Sequence, residues 1–167
     1  AFLDQSGTLG NNDSVPHHIP MKPDAKPITP RSYRMSPFVR QEIQRQIDKL
    51  LAQGVIKYGV SRWASPVLAV AKGCSKSRRH LESADKQPEI RFCLDLRHIN
   101  ANSIPLQLSL TNVADLLDEI GMVKPVFFTT LDFRAAFFQQ ALAEDSQEFC
   151  AFHFNRQSYR FATTTMG

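Results

Sequence analysis

The 167-residue sequence predicts an α+β fold in which hairpin-linked strands pack with a few amphipathic helices. Three observations lead there. Apolar residues recur at helical spacing after Ser36-Pro37, and they alternate at strand spacing over residues 90–97. Near the C-terminus, two apolar runs flank a short polar turn. A hydrophobic content of 43% against 22% charged residues is ordinary for a globular protein, and the length allows one or two subdomains.

The elements follow in chain order. Residues 1–35 carry Pro16, Pro20, Pro23, Pro27 and Pro30 and read as an extended lead-in outside the core. They lack the basic start and apolar centre of a signal peptide. No stretch in the chain approaches the 18 apolar residues of a membrane span. With no starting Met, the sequence reads as an excerpt from something longer. Ser36 caps a helix and Pro37 takes its first position. Val39, Ile43, Ile47, Leu50 and Leu51 form its inward stripe, and Gly54 stops it. Arg40, Gln41, Gln44, Arg45 and Asp48 lie on the outer face.

Short strands are expected at residues 55–56 and 67–71, joined by the turn-rich segment 61–66, in which Trp63 packs. Residues 72–89 form a polar, basic loop. Residues 90–97 form a half-buried strand with Arg91, Asp95 and Arg97 on its polar face. A helix begins at Ser109 or Thr111, buries Val113, Leu116, Leu117 and Ile120, and ends at Gly121. Residues 126–131 make a strand that ends at Asp132. Residues 149–154 and 159–163 make a hairpin around 155–158, a connection without a strong turn dipeptide.

The net charge of +4 is unevenly placed: residues 1–97 sum to +7 and residues 98–167 to −3. Such an imbalance suits a basic half that meets a polyanion and an acidic half that holds a cation, or simply two solvated faces. Cys74, Cys93 and Cys150 form no CxxC pair, so the sequence points to reduced structural thiols rather than zinc. Asp132 closes an apolar run rich in aromatics and threonine. A buried unpaired carboxylate is costly, so an acid there belongs where a strand ends, within reach of a metal or substrate. Taken alone, it reads equally as a capping or turn-forming aspartate.

A set of segments in order carries a resemblance. RFCLDLRHIN, a helical stretch, TTLDFRAAFFQQ, CAF and YRF, with GVIKYGVSRWASPVLAVAK upstream, resemble the first half of a reverse transcriptase of long-terminal-repeat retrotransposons and retroviruses, over residues 17–167. The resemblance implies the fingers and partial palm of a right-hand polymerase, ending before the Asp-Asp hairpin. It divides the chain into the lead-in 1–35, fingers 36–105 and the start of a palm, 106–167. In the full-length protein it implies nucleotidyl transfer from a dNTP to a primer 3′-hydroxyl with two Mg²⁺ or Mn²⁺ ions. The implied partners are an RNA template, a DNA primer and the remaining palm, thumb and ribonuclease H of a pol polyprotein, inside the cell and with no membrane.

By the same resemblance, Asp132 matches the first metal-binding aspartate, and the backbone carbonyl of Phe133 is a further ligand. Arg91 matches the cation over the α-phosphate. Lys72, or Lys76 in its place, reaches the γ-phosphate. Phe137 closes the sugar pocket against a 2′-hydroxyl, and Gly167 belongs to the nucleotide floor. Arg97, with Arg40 or Arg45, meets the template backbone. Three features depart from the family pattern: nineteen positions separate Lys72 from Arg91, Ala135 stands near a usual acid or small polar residue, and Thr165 replaces a proline. No adjacent Asp-Asp pair follows Asp132, and Glu144-Asp145 reads as a surface pair. One carboxylate does not assemble two metals, so the isolated chain is expected not to polymerise. The alternative is a non-enzymatic remnant that binds nucleic acid through its basic half.

Overall fold

In the computed structural model, residues 12–28, 32–71, 89–106, 110–133 and 135–166 are described. They fall into two compact units. One joins residues 1–104 to 135–167, and the other spans 105–134.

The larger unit is built around helix α1 (Pro37–Ala52) and a three-stranded antiparallel sheet. The Ser36 side chain accepts a hydrogen bond from the Val39 N–H, and Pro37 occupies the first turn, as the sequence predicts. Ile43, Ile47 and Leu50 are buried, with Val39 and Leu51 packed at the margin. The chain leaves the helix through Gly54, whose φ of 70° is a conformation glycine adopts without strain.

Strand β1 (Asn12–His17) opens the chain, and β2 (Ile56–Tyr58), β3 (Val67–Ala71) and β4 (Ile90–Leu94) follow α1. Strands β5 (Gln140–Leu142), β6 (Ala151–Phe154) and β7 (Gln157–Phe161) complete the unit. The main sheet has the order β2-β7-β6, and β3 pairs antiparallel with β4. Phe152, Tyr159 and Phe161 fill its centre at 2% exposure or less, and Phe92 of β4 packs tilted against Phe152 and stacks on Phe161. Three large rings supply much of the apolar area that drives this unit to fold. Trp63 is buried edge-on to Phe149, the packing role its sequence context suggests.

Three expectations change here. The proline-rich lead-in, expected outside the core, reaches it within residues 12–28. β1 pairs parallel with β5, Ile19 and Met21 pack on the core, and the Lys22 N–H bonds the Asn102 carbonyl. The strand expected over 90–97 stops at Leu94, because the Asp95 carboxylate accepts from the Arg97 N–H and turns the chain into helix α2 (Arg97–Asn102). The loop between β6 and β7 is two residues rather than four. Asn155 and Arg156 both take positive φ, 47° and 64°, the mirror-image turn that matches strand twist.

The smaller unit contains helix α3 (Val113–Val123). Asn112 caps it by accepting from the Ala114 N–H, displacing Thr111 from that role; Ser109 lies outside the described residues. Gly121 does not end the helix. Lys124 does, in the left-handed conformation, with its N–H on the Ile120 carbonyl. None of the expected inward stripe is buried: Val113, Leu116 and Leu117 are exposed. Residues 126–131 form no strand, and Phe127 and Phe128 are 88% and 74% exposed. A strand is held by ladder hydrogen bonds and cross-strand contacts, and no described residue supplies them here.

Candidate nucleotide and nucleic-acid site

The candidate side chains sit on different supports. Arg91 is carried by β4, directly opposite Val70 of β3. The strand alternates, so Ile90, Phe92 and Leu94 point into the core and Arg91 stays exposed. Its guanidinium makes no hydrogen bond or ion pair with a described residue. β3 covers one edge of β4. Gln46 of α1 covers part of the other, accepting from the Phe92 N–H at 2.9 Å and donating to the Ile90 carbonyl at 2.7 Å. Gln46 also donates to Glu42, which Arg45 grips through two hydrogen bonds of 2.7 and 2.8 Å. The peptide groups on both sides of Arg91 are therefore clamped. Sequence reasoning missed Gln46, since an outward polar residue on a helix carries no mark of a strand partner.

Asp95 is buried and grips Arg97 through Nε at 2.8 Å and Nη2 at 2.6 Å, with the Tyr33 hydroxyl donating at 3.3 Å. The Arg97 hydrogen bonds hold the Asp95 carboxyl down at about 2, and Arg97 is raised in turn. Arg45 likewise holds Glu42 at about 2 by hydrogen bonding. Two of the four candidate arginines, Arg45 and Arg97, are thus committed to carboxylates, while Arg40 and Arg91 pair with none among the described residues.

Phe137 is half exposed in a 3₁₀ turn (Ala136–Gln139) that begins with Ala135 at a φ of 53°. The Thr164 hydroxyl donates to the Phe137 carbonyl. Phe138 stacks on Phe161 at 6.2 Å, and Phe92 stacks on the same ring at 6.4 Å. The immediate neighbours of Arg91 and Phe137 therefore rest on one buried aromatic.

Asp132 and Phe133 belong to the smaller unit, where both are exposed. Among the described residues no three His, Cys, Asp or Glu side chains are placed to hold a metal ion. Asp132 and a carbonyl are hard oxygen donors of the kind Mg²⁺ prefers, but they do not compose a two-ion site. Lys72, Lys76 and Gly167 lie outside the described residues, as does Cys74. Cys150 is buried and its thiol is pushed up to about 12; burial also raises Cys93.

No protein-family model matches the chain. It is 30% identical over 166 residues to the retrovirus-related Pol polyprotein of transposon 412 from Drosophila melanogaster, covering 99% of the chain and 13% of that relative. It is 32% identical over 149 residues to the Pol polyprotein of Feline endogenous virus ECE1, covering 89% of the chain and 13% of the relative. Among solved structures, the prototype foamy virus protease–reverse transcriptase matches with a TM-score of 0.73 and 26% identity, over 96% of this chain and 19% of that one. The chain belongs to the reverse transcriptases of long-terminal-repeat retroelements.

The α+β architecture is accordingly the polymerase-like fold of the fingers and palm of these reverse transcriptases. The chain spans about 13% of the curated relatives named above. No helix among the described residues is long and apolar enough to cross a membrane.

Proposed function

We propose that this chain supplies part of the nucleotide- and template-holding surface of an RNA-directed DNA polymerase, in a longer parent that joins a primer 3′-hydroxyl to a deoxynucleoside triphosphate. The observation that carries the reading is Arg91: an exposed guanidinium without a carboxylate partner among the described residues, on a strand clamped at both flanking peptides. A fixed, unneutralised planar cation suits a phosphate. In this reading residues 36–105 are fingers and 106–167 begin the palm.

Lys72 or Lys76 takes the γ-phosphate, Phe137 borders the sugar, and Gly167 belongs to the nucleotide floor. Asp132 and the Phe133 carbonyl contribute one corner of a divalent-metal site whose other carboxylates come from elsewhere in the parent. When bound, the ions activate the attacking hydroxyl and neutralise the leaving group. Arg97 and Arg40 meet the template backbone. Arg45 and Arg97 are the weaker candidates, because Glu42 and Asp95 already occupy their forks. The foamy virus enzyme has been solved with an RNA/DNA hybrid, which supports a template–primer partner for this chain.

A second reading, a nucleic-acid-binding remnant without catalysis, is favoured by the missing carboxylate cluster among the described residues. Primer extension on a primed RNA template with Mg²⁺ separates the two. The isolated chain should incorporate nothing. The chain joined to the remaining palm of its parent should extend primers, lose this with Asp132→Asn, and accept ribonucleotides more readily with Phe137→Ala. Extension by the isolated chain, or full activity of the Asp132→Asn fusion, sinks the assignment. An inactive fusion favours the remnant.

A further inference from the structure

A cavity of about 300 Å³ opens in the larger unit between the lead into α1, residues 64–67 and the β6–β7 turn. That is the lower end of the roughly 300–1,000 Å³ of ligand pockets, suited to a phosphate and sugar rather than a large ligand. Arg40, His153 and Arg156 line it, with Ser32 and Ser65, and no described aspartate or glutamate does. Neither arginine has a side-chain hydrogen bond or ion pair with a described residue. Arg45 and Arg97, by contrast, each grip a carboxylate with two bonds.

The carboxylate that touches the cavity wall is Asp95, through Tyr33, and Arg97 already neutralises it. The turn is fixed against the helix, because the Asn155 amide donates to the Gln44 carbonyl oxygen at 2.7 Å. Two arginines without a carboxylate partner among the described residues thus line one opening, an arrangement that an anion relieves.

We propose that this cavity is a phosphate pocket that takes one backbone phosphate of a single-stranded nucleic acid, gripped by Arg40 and Arg156. The choice of a nucleic acid rests on the reverse-transcriptase reading above. Phosphate contact fixes the register of a strand without reading its sequence.

The test is fluorescence anisotropy with a labelled single-stranded RNA between about 50 and 200 mM salt. Arg40→Gln and Arg156→Asn should each weaken binding several-fold and flatten the slope of log K against log salt by about 0.7. Asn is chosen because it tolerates the left-handed backbone at 156. Arg40→Lys should retain the slope. Lys49→Gln removes the same charge from the last turn of α1, outside the cavity, and should leave the slope unchanged. A strand of abasic residues should compete as well as an intact one. Equal losses from Lys49→Gln and Arg40→Gln overturn the pocket while leaving the reverse-transcriptase reading standing. Displacement by inorganic phosphate at matched phosphate concentration overturns it in favour of a small anion. Absence of any binding by the unaltered chain at low salt overturns both the pocket and the template-holding role.

Discussion

Gln46 shows how one side chain decides where another stands. Its amide fills a gap in the β4 edge, so the peptides around Arg91 are satisfied without a second strand. Gln46→Leu leaves the Phe92 N–H and the Ile90 carbonyl without those partners and should cost about 1–3 kcal/mol. The measurement is the shift in thermal midpoint, and an unchanged midpoint removes the clamp from the account. Asp95 adds a pH signature. Its folded-state value of about 2 lies below its ordinary 3.8, and Glu42 drops from 4.5 to about 2. Each contributes stability that is present above the ordinary value and lost as pH falls towards about 2. Asp95→Asn should therefore be less stable than the unaltered chain near neutrality, with the gap closing between about pH 4 and pH 2. Parallel pH–melting curves for the two proteins sink this assignment. The pairing of Asp95 with Arg97 comes from the structure, since the sequence resemblance sends Arg97 to the template backbone. On α1, Glu42 stands at the helical spacing that reaches Arg45 and not Arg40, and Arg45 is the one it holds.

At the scale of elements, the β6–β7 hairpin links stability to function. Asn155 and Arg156 both occupy left-handed backbone, which asparagine tolerates but which costs a residue such as arginine roughly 1 kcal/mol or more. Arg156→Gly should raise stability by about 0.5–1 kcal/mol while weakening nucleic-acid binding. Chemical denaturation and anisotropy on the same variant check the two halves, and a variant that is both less stable and equally tight-binding contradicts both. The helix at Ser36-Pro37 was fully legible, because its cap, first-turn proline, apolar stripe and terminal glycine all agree. The end of β4 was not. Alternation continues in the letters to Arg97, but the Asp95 side chain bonds its own backbone and breaks the strand. The turn between β6 and β7 was overestimated because Asn-Arg is a weaker left-handed signal than Asn-Gly.

Across the whole molecule, the described apolar side chains divide unevenly. Those of α1 and the main sheet are buried, whereas Val126, Phe127, Phe128, Leu131 and Phe133 are each at least 65% exposed. A run of that kind is an association liability. The isolated chain should bind an apolar dye such as ANS and self-associate with rising concentration. Phe127→Ser combined with Phe128→Ser should lower both readouts and leave the thermal midpoint near that of the unaltered chain, since neither ring is buried. Dye binding that persists undiminished in the double variant places the exposed surface elsewhere.

Periodicity, capping and turn chemistry are properties of neighbouring residues, so the sequence by itself determined α1, β3, most of β4 and the β6–β7 pairing, and it placed β2 only at Ile56. It also carried the ordered segments that mark a retroelement reverse transcriptase. Whether an apolar run is covered depends on residues far away in the chain. Only the tertiary structure decided that β1 is pinned to β5, that Gln46 serves as an edge of β4, and that α3 and residues 126–131 stay exposed. The same holds for Arg40 and Arg91, which have no carboxylate partner among the described residues, because a counter-ion from elsewhere in the chain is a matter of distance in space.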